Sequence, residues 1–251
     1  MINSSTVRIS FVFPILGFFL FLILFAFDLN QTVFHLINGL SQYTGESLWA
    51  ALTLLGDPAV ILCLALCLVV QKPRIALSIL PTLLIGLICV YSLKSFFAIP
   101  RPDLVLDSFN LIGASPDSSA FPSGHTTGAI AFATLLLLNY QKTYLHIAII
   151  TLSIVVGFSR VAVGAHWPVD IAGGLVLGWL IALIGHFFSR QWQIQRTGER
   201  NMGLLLLVAA ILLLFKNTGQ ADLQALQWVI SAMAFVVSLT VIFRKPAIAK
   251  I

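Results

Sequence analysis

Long apolar runs dominate the chain, and polar residues are confined to short segments between them. A helix needs about 20 largely apolar residues to cross roughly 30 Å of hydrocarbon. None of the runs shows the strict alternation that a membrane-barrel strand requires. The pattern therefore predicts eight membrane-spanning helices, and the seventh run is the shortest. The runs are residues 9–27, 48–70, 75–93, 123–140, 143–163, 168–188, 202–216 and 226–243.

Two of these runs carry additional local signals. The first run has no small-residue cleavage site and leads into a polar exit at Asp28, so it is predicted to be a span and not a signal peptide. Within the second run, Gly56-Asp57-Pro58 is a helix start, with Asp57 as the N-cap and Pro58 in the first turn. Either an interfacial helix over 46–55 precedes a span that begins there, or the helix is kinked. We favour a capping role for Asp57 over a catalytic one.

The composition excludes a soluble fold. Hydrophobic residues make up 59% of the 251 residues and charged residues only 9%, whereas soluble domains carry roughly 25% charged residues. The net charge of +5 forms no dense basic patch, so no nucleic-acid partner is expected. The cysteines, Cys63, Cys67 and Cys89, lie in apolar runs and are expected to act as small hydrophobic residues.

The basic residues predict an orientation. With a cytoplasmic N-terminus, ten of the 14 basic residues fall inside, in agreement with the positive-inside rule, and both termini are cytoplasmic. The inside residues are Arg8, Lys72, Arg74, Lys142, Arg190, Arg196, Arg200, Arg244, Lys245 and Lys250. The outside residues are Lys94, Arg101, Arg160 and Lys216.

Three of the four outside cations lie in three polar segments at the same predicted membrane face. The segments are Lys94 to Pro102, Pro122-Ser123-Gly124-His125, and Ser159 to Asp170. Lys94, Arg101 and Arg160 suit a multiply charged oxyanion, because a guanidinium group binds phosphate through paired hydrogen bonds. Ser123-Gly124 opens a helix whose N-terminal amides point towards an anion.

The histidines of these segments can supply the covalent chemistry. One imidazole can attack phosphorus while the other protonates the departing oxygen. Asp170 follows His166 by four residues, so its carboxylate can orient that ring. His35, His146 and His186 are scattered, and no ligand spacing for a metal is present.

The three segments, Lys-x6-Arg-Pro, Pro-Ser-Gly-His and Ser-Arg-x5-His-x3-Asp, resemble the signature of the type 2 phosphatidic acid phosphatase superfamily, which includes vanadium haloperoxidases. The resemblance implies that His166 is the nucleophile, Asp170 its orienting partner and His125 the general acid. It also implies that Lys94, Arg101, Ser123, Gly124 and Arg160 bind the substrate phosphate. No metal or cofactor is implied.

The same resemblance implies an all-α polytopic bundle. A six-helix phosphatase core would occupy 1–200, and about two additional C-terminal transmembrane helices would occupy 201–251. The expected partners are a lipid phosphate substrate and membrane lipids, and nothing in the sequence indicates an oligomeric state. The expected location is a bacterial inner membrane, with the site at the periplasmic face.

The substrate and the function class leave alternatives. We expect a phosphatase of undecaprenyl pyrophosphate, with lipid A, phosphatidylglycerophosphate or phosphatidic acid as other substrates. A lipid-to-lipid phosphotransferase shares the first half-reaction, and a transporter is the non-enzyme alternative. The loop 103–121 is hypothesised to gate lipid entry, so that Phe109→Ser and Leu111→Ser impair turnover of lipid more than turnover of a short soluble phosphate ester.

Overall fold

A computed structural model describes residues 4–114, 118–193, 195–216 and 221–244. Over these residues the chain forms eleven α-helices and one short 3₁₀ helix, which confirms the predicted all-α class. The helices are α1 (Ser4–Ser10), α2 (Val12–Ala26), α3 (Asn30–Thr44), α4 (Glu46–Leu54), α5 (Pro58–Cys67), α6 (Pro73–Phe97), α7 (Gly124–Asn139), α8 (Thr143–Ala162), α9 (Pro168–Ser189), α10 (Arg196–Phe215) and α11 (Ala221–Phe243).

The outer surface of the helices is apolar. Large hydrophobic side chains such as Phe25, Leu87 and Phe215 are exposed on α2 and α6 and at the end of α10. Water solvates such extended apolar surface poorly, whereas membrane hydrocarbon accommodates it and favours helices that satisfy their own backbone groups. The chain is therefore an integral membrane protein, as its composition predicts.

The described residues contain six or more membrane-spanning helices, in agreement with the predicted polytopic bundle. Among the described residues, six helices are long and apolar enough to cross a membrane, from Thr6–Ala26 to Leu223–Phe243. Glu46–Leu54 and Pro58–Cys67 form a seventh candidate, bent by 59° at the break between them. The run at 123–140 forms a helix of 16 residues, which is only about 24 Å long.

The break between α4 and α5 confirms the predicted helix start at Asp57. Asp57 Oδ1 accepts a hydrogen bond from the Ala59 amide at 2.9 Å, and Pro58 occupies the first turn of α5. The chain therefore forms two helices that meet at this break with a bend of 59°. Gly56 lies at the break and packs against His125, so the break is adjacent to the start of α7.

Helices α7 and α9 approach each other to backbone contact. A Cβ atom on Gly178 of α9 would lie 2.5 Å from Thr127 O, and one on Gly174 would lie 2.8 Å from Thr126 Cβ. Neither position has space for a side chain. The two glycines therefore permit the close packing that holds the start of α7 beside the start of α9.

The last two helices, α10 and α11, pack against each other and against α5. One apolar core contains Leu66 of α5, Leu206 of α10 and Ala234 of α11. Helix α10 begins at Arg196, so the predicted boundary at residue 200 falls inside this helix. The division of the chain into a phosphatase core and two additional helices stays a prediction.

One end of the bundle, which we call the basic end, collects cations that were predicted to be cytoplasmic. Lys72 Nζ donates a hydrogen bond to Asn139 O at 3.2 Å. Arg74 Nη1 donates one to Arg190 O at 2.7 Å. The start of α6 and the ends of α7 and α9 therefore meet at this end. The three polar segments lie at the opposite end, which we call the site end.

Helix α3 lies at the site end and was not predicted from the sequence. Asn30 Oδ1 accepts a hydrogen bond from Val169 N at 3.0 Å. Phe34 is buried and its ring centroid lies 5.1 Å from that of Trp167. Asn38 Nδ2 donates to Ala162 O at 3.0 Å. The polar groups and aromatic residues of α3 thus cover the loop that joins α8 to α9.

Candidate active site

The three polar segments meet through hydrogen bonds at the site end. Ser123 N donates to Asp170 O at 3.1 Å, which joins the second segment to the third. Trp167 Nε1 donates to Pro100 O at 2.9 Å, which joins the third segment to the first. Segments separated by whole helices in the sequence therefore form one cluster.

His166 and Asp170 form a buried pair. Pro168 starts α9 directly after the loop that carries His166, and Asp170 lies in the first turn of that helix. His166 Nδ1 lies 3.1 Å from Asp170 Oδ2, and the same oxygen accepts a hydrogen bond from Trp167 N at 2.8 Å. A carboxylate here accepts a hydrogen bond from the Nδ1–H group, which keeps the proton on Nδ1 and leaves Nε2 unprotonated, the tautomer that a nucleophile needs.

The surroundings of His166 favour its neutral form. Burial lowers the pKa of His166 well below its usual 6.5, and the nearby cations Arg160, Arg101 and Lys94 lower it further. Desolvation and like charges both disfavour a protonated imidazole. At neutral pH the ring is therefore uncharged and Nε2 carries a lone pair.

Arg101 is buried beside the reactive face of His166. Its Nη1 lies 3.4 Å from His166 Nε2 and donates to Ala165 O at 2.6 Å. Its Nε and Nη2 atoms donate to the carbonyl and hydroxyl oxygens of Ser118, at 2.6 and 3.1 Å. The guanidinium plane is thus fixed on two sides and presents Nη1 to the imidazole.

Lys94 occupies the last turn of α6, near the same loop as Arg101. Its ammonium donates hydrogen bonds to the carbonyl oxygens of Ser119 and Ala120, the second at 3.2 Å. The polar end of the loop 103–121 therefore orients both cations of the first segment. This function of the loop was not predicted from the sequence.

Arg160 lies near the end of α8 and is also buried. Its Nη1 atom donates to Thr53 Oγ1 at 2.6 Å. Within the described part of the chain its Nε atom has no hydrogen-bond partner. Thr53 is a contact that sequence reasoning missed, because a threonine inside an apolar run carries no recognisable motif.

Ser123 and Gly124 begin α7, as the sequence predicts. Ser123 Oγ is the helix cap, accepting hydrogen bonds from Thr126 N at 3.4 Å and Thr126 Oγ1 at 2.9 Å. The nearest atom to a Cβ placed on Gly124 would be Val90 Cγ1 at 3.7 Å, so its backbone is open to a neighbouring group. His125 follows in the first turn, where its Cβ and carbonyl oxygen contact Gly56.

An apolar cavity of about 330 Å³ extends from Gly124 between α5, α6 and α7. Pro58 and Leu62 line it from α5, and Leu83 and Val90 line it from α6. Few polar groups line its walls, whereas Gly124, at one end of the cavity, belongs to the polar segments that carry the cations of the site. A ligand with a phosphate at one end and a hydrocarbon chain at the other matches this juxtaposition.

The described part of the loop 103–121 is only partly at the surface. Leu104 is 75% exposed and Val105 is 55% exposed, whereas Phe109 packs against Phe34 with ring centroids 5.6 Å apart. Phe109 is therefore part of the covering of the α8–α9 loop. The gating hypothesis stays a prediction, and substitution of Phe109 would also disturb the site itself.

Comparison with known proteins decides the family. Residues 75–194, which contain all three polar segments, match the PAP2 superfamily. Undecaprenyl-diphosphatase BcrC of Bacillus subtilis (strain 168) is 30% identical over 166 residues, which cover 64% of this chain and 84% of that protein. The chain belongs to the PAP2 superfamily.

Two further PAP2 relatives define the class of enzyme. A lipid A 1-phosphatase of Rhizobium johnstonii is 35% identical over 104 residues, which cover 39% of this chain and 41% of that protein. The crystal structure of Aquifex aeolicus LpxE aligns with a TM-score of 0.54 and 27% identity, over 65% of this chain and 96% of that one. This PAP2 protein is therefore a membrane lipid phosphatase.

Proposed function

We propose that this PAP2 enzyme hydrolyses undecaprenyl pyrophosphate at the external face of a bacterial plasma membrane, through a phosphohistidine at His166. The observation that carries the mechanism is the position of His166 between Asp170 and Arg101. Nδ1 lies 3.1 Å from a buried carboxylate, and Nε2 lies 3.4 Å from a guanidinium nitrogen. Such an imidazole is oriented for attack on a phosphorus atom bound by the cations.

In the first half-reaction His166 Nε2 attacks the terminal phosphorus. The N–P bond forms as the P–O bond to the lipid phosphate breaks, and His125 donates a proton to the departing oxygen. Asp170 stabilises the positive charge that develops on the ring. In the second half-reaction water attacks the same phosphorus, His125 accepts its proton, the N–P bond breaks, and inorganic phosphate leaves.

Lys94, Arg101 and Arg160 bind the phosphate oxygens in this mechanism. Ser123 and Gly124 add donors at the start of α7, where the helix dipole also favours an anion. Both hydrogen bonds described for Ser123 Oγ use the oxygen as an acceptor, so the hydroxyl hydrogen is available for the phosphate. Preorganised donors of this kind stabilise the charge that builds up in the transition state.

The lipid part of the substrate is inferred from the cavity and the relatives. The apolar cavity between α5, α6 and α7 suits a hydrocarbon chain attached to a phosphate at Gly124. The Bacillus subtilis relative is named for undecaprenyl diphosphate, which supports that substrate. The Rhizobium relative is named for lipid A, which makes lipid A 1-phosphate the second candidate.

The external location is inferred from the charges. Lys72 and Arg74 lie at the basic end, away from the cationic cluster of the site end. The positive-inside rule supports cytoplasmic termini and an external site. Single cysteines at exposed Asp107 and Gln141, in a variant lacking the native cysteines, test this in intact cells. A membrane-impermeant maleimide should label position 107 only; labelling of position 141 alone contradicts the orientation.

The substrate is tested with purified enzyme in detergent. Phosphate release is measured from undecaprenyl pyrophosphate, lipid A, phosphatidylglycerophosphate and phosphatidic acid. Undecaprenyl pyrophosphate should have the highest kcat/KM, vanadate should inhibit, and a chelator should not. His166→Ala should abolish turnover, whereas His35→Ala, which alters an exposed histidine of α3, should not. A higher kcat/KM with another lipid overturns the substrate assignment. Transfer of the phosphate to a second lipid in place of water identifies a phosphotransferase.

A further inference from the structure

The C-terminal helices contact the site end through an ion pair. Lys216 directly follows α10, and its ammonium pairs with Asp57 Oδ2. The other oxygen of the same carboxylate accepts the Ala59 amide at 2.9 Å and caps α5. One buried carboxylate thus joins the end of α10 to the break between α4 and α5. Both α10 and α11 lie beyond residue 194, where the family match ends.

Lys216 is itself held in place by α11. Its carbonyl oxygen accepts a hydrogen bond from Gln227 Nε2 at 2.5 Å. Gln227 is fully buried and also donates to Leu213 O at 2.7 Å. The position of the Lys216 backbone is therefore set by the packing of α10 against α11, and the ion pair transmits that position to Asp57.

The break on the other side of the ion pair contacts two residues of the family motif. Gly56, next to Asp57, leaves no space beside His125: a Cβ there would lie 3.1 Å from His125 Cβ. Thr53, at the end of α4, accepts the hydrogen bond from Arg160 Nη1 at 2.6 Å. A displacement of the break would therefore move the contacts of both His125 and Arg160.

A second contact joins the same helices to the loop before His166. Leu223 of α11 is buried in one apolar cluster with Ala50 of α4 and with Val163 and Ala165 of the loop. Ala165 O is the acceptor for Arg101 Nη1. Two independent contacts, one ionic and one apolar, thus lead from the C-terminal helices to the phosphate-binding side chains.

We propose that Asp57 and Lys216 are positioning residues, whose ion pair holds the α4–α5 break against His125 and Arg160. The C-terminal helices then support catalysis by a motif that lies elsewhere in the chain. The inference rests on the proposed roles of His125 and Arg160. An ion pair with an exposed partner adds little to stability, whereas a small displacement of a catalytic group lowers the rate strongly. Loss of the Asp57–Lys216 pair should therefore lower kcat.

The test separates the ion pair from helix capping. Asp57→Asn keeps a good N-cap and removes the charge, and Lys216→Met removes the partner. Each variant should lower kcat about tenfold with KM within about twofold, and the double variant should lose no more than either single variant. Lys216→Arg should restore most of the rate. Glu199→Gln, which breaks the Arg196–Glu199 pair at the other end of α10, should leave kcat unchanged.

Thermal unfolding of each purified variant in detergent accompanies the kinetics. Wild-type kcat in both single variants overturns the proposal, and so does a double variant whose loss equals the product of the two single losses. A fall in kcat that follows a matching fall in unfolding temperature also overturns it. The comparison uses whichever lipid phosphate the wild type turns over, so an error in the substrate assignment does not affect it. Retained turnover in His125→Ala and Arg160→Ala refutes the proposed mechanism instead.

Discussion

The substitution Asp170→Asn tests how the buried carboxylate controls His166. The two side chains have nearly the same shape. The Trp167 amide donates a hydrogen bond to Asp170 Oδ2 at 2.8 Å. In the variant this amide still needs an acceptor, so the Asn side chain turns its oxygen towards Trp167 N and His166 Nδ1. The amide nitrogen then occupies the position of Oδ1, which has no hydrogen-bond partner among the described residues. The correct imidazole tautomer is retained, and the negative charge is lost.

The size of the effect follows from these contacts. A hydrogen bond to a charged group contributes about 1.5–3 kcal/mol, and a neutral one about 0.5–1.5 kcal/mol. The phosphorylated ring is positive, so replacing the charged hydrogen bond by a neutral one raises the barrier by the difference, about 1–1.5 kcal/mol. Each 1.36 kcal/mol corresponds to about tenfold in rate, which predicts a fall in kcat of about 5- to 13-fold. Asp170→Ala should lose more, because it also leaves Trp167 N without its acceptor.

The assay is kcat with saturating lipid substrate in detergent, with thermal unfolding measured on the same samples. Asp107→Asn is the matched control, because Asp107 is an exposed acid in the loop at the site end, and it should keep the wild-type rate. An Asp170→Asn enzyme with wild-type kcat would show that the carboxylate does not assist His166. An enzyme as inactive as His166→Ala would show that the tautomer is not retained.

Three further outcomes are expected. Burial and nearby cations lower the pKa of His166, so kcat/KM should fall only when the pH drops below that lowered pKa. Lys94→Met removes one of these cations, so the pH at which kcat/KM falls should rise. A shift of that pH to a lower value contradicts the assignment. Arg101→Ala should reduce kcat/KM about 100- to 1000-fold, and a loss below about tenfold argues against phosphate binding by its guanidinium group. Gly178→Ala places a Cβ 2.5 Å from a backbone oxygen and should lower the free energy of unfolding by about 1–3 kcal/mol in thermal unfolding. Gly39→Ala, where no atom of the described residues lies within 4 Å of the new Cβ, should not; equal stability of the two variants contradicts the packing of α9 on α7.

The membrane fold and the pairing of His166 with Asp170 could be predicted because each depends on a local signal. Long apolar runs indicate helices in a membrane. The spacing of His166 and Asp170 places both side chains on neighbouring turns, and the structure places them 3.1 Å apart. The capping role of Asp57 could also be predicted, since an acidic residue followed by proline is a strong signal for the start of a helix.

The remaining features depend on contacts between distant segments. Thr53 contacts Arg160 across more than a hundred residues of sequence, and neither neighbourhood indicates the other. The carbonyl groups of Ser118 and Ser119 orient two cations, and backbone groups leave no trace in a side-chain pattern. Helix α3 mixes polar and apolar residues over a short range, so it resembles a connecting loop in a search for spans. The Lys216–Asp57 ion pair could likewise not be predicted from the sequence, because it arises only from the packing of α10 on α5.

Trapping of the covalent intermediate tests the proposed chemistry most directly. Wild-type enzyme is mixed with lipid substrate labelled in its terminal phosphate, quenched within one turnover, and digested for mass spectrometry. The predicted result is one acid-labile, base-stable phosphate on the peptide that contains His166. The label should be absent from His166→Ala. In His125→Ala it should form only as far as His166 can attack without the general acid. Label on any other residue, or turnover with no covalent phosphate in a rapid quench, would contradict a phosphohistidine at His166.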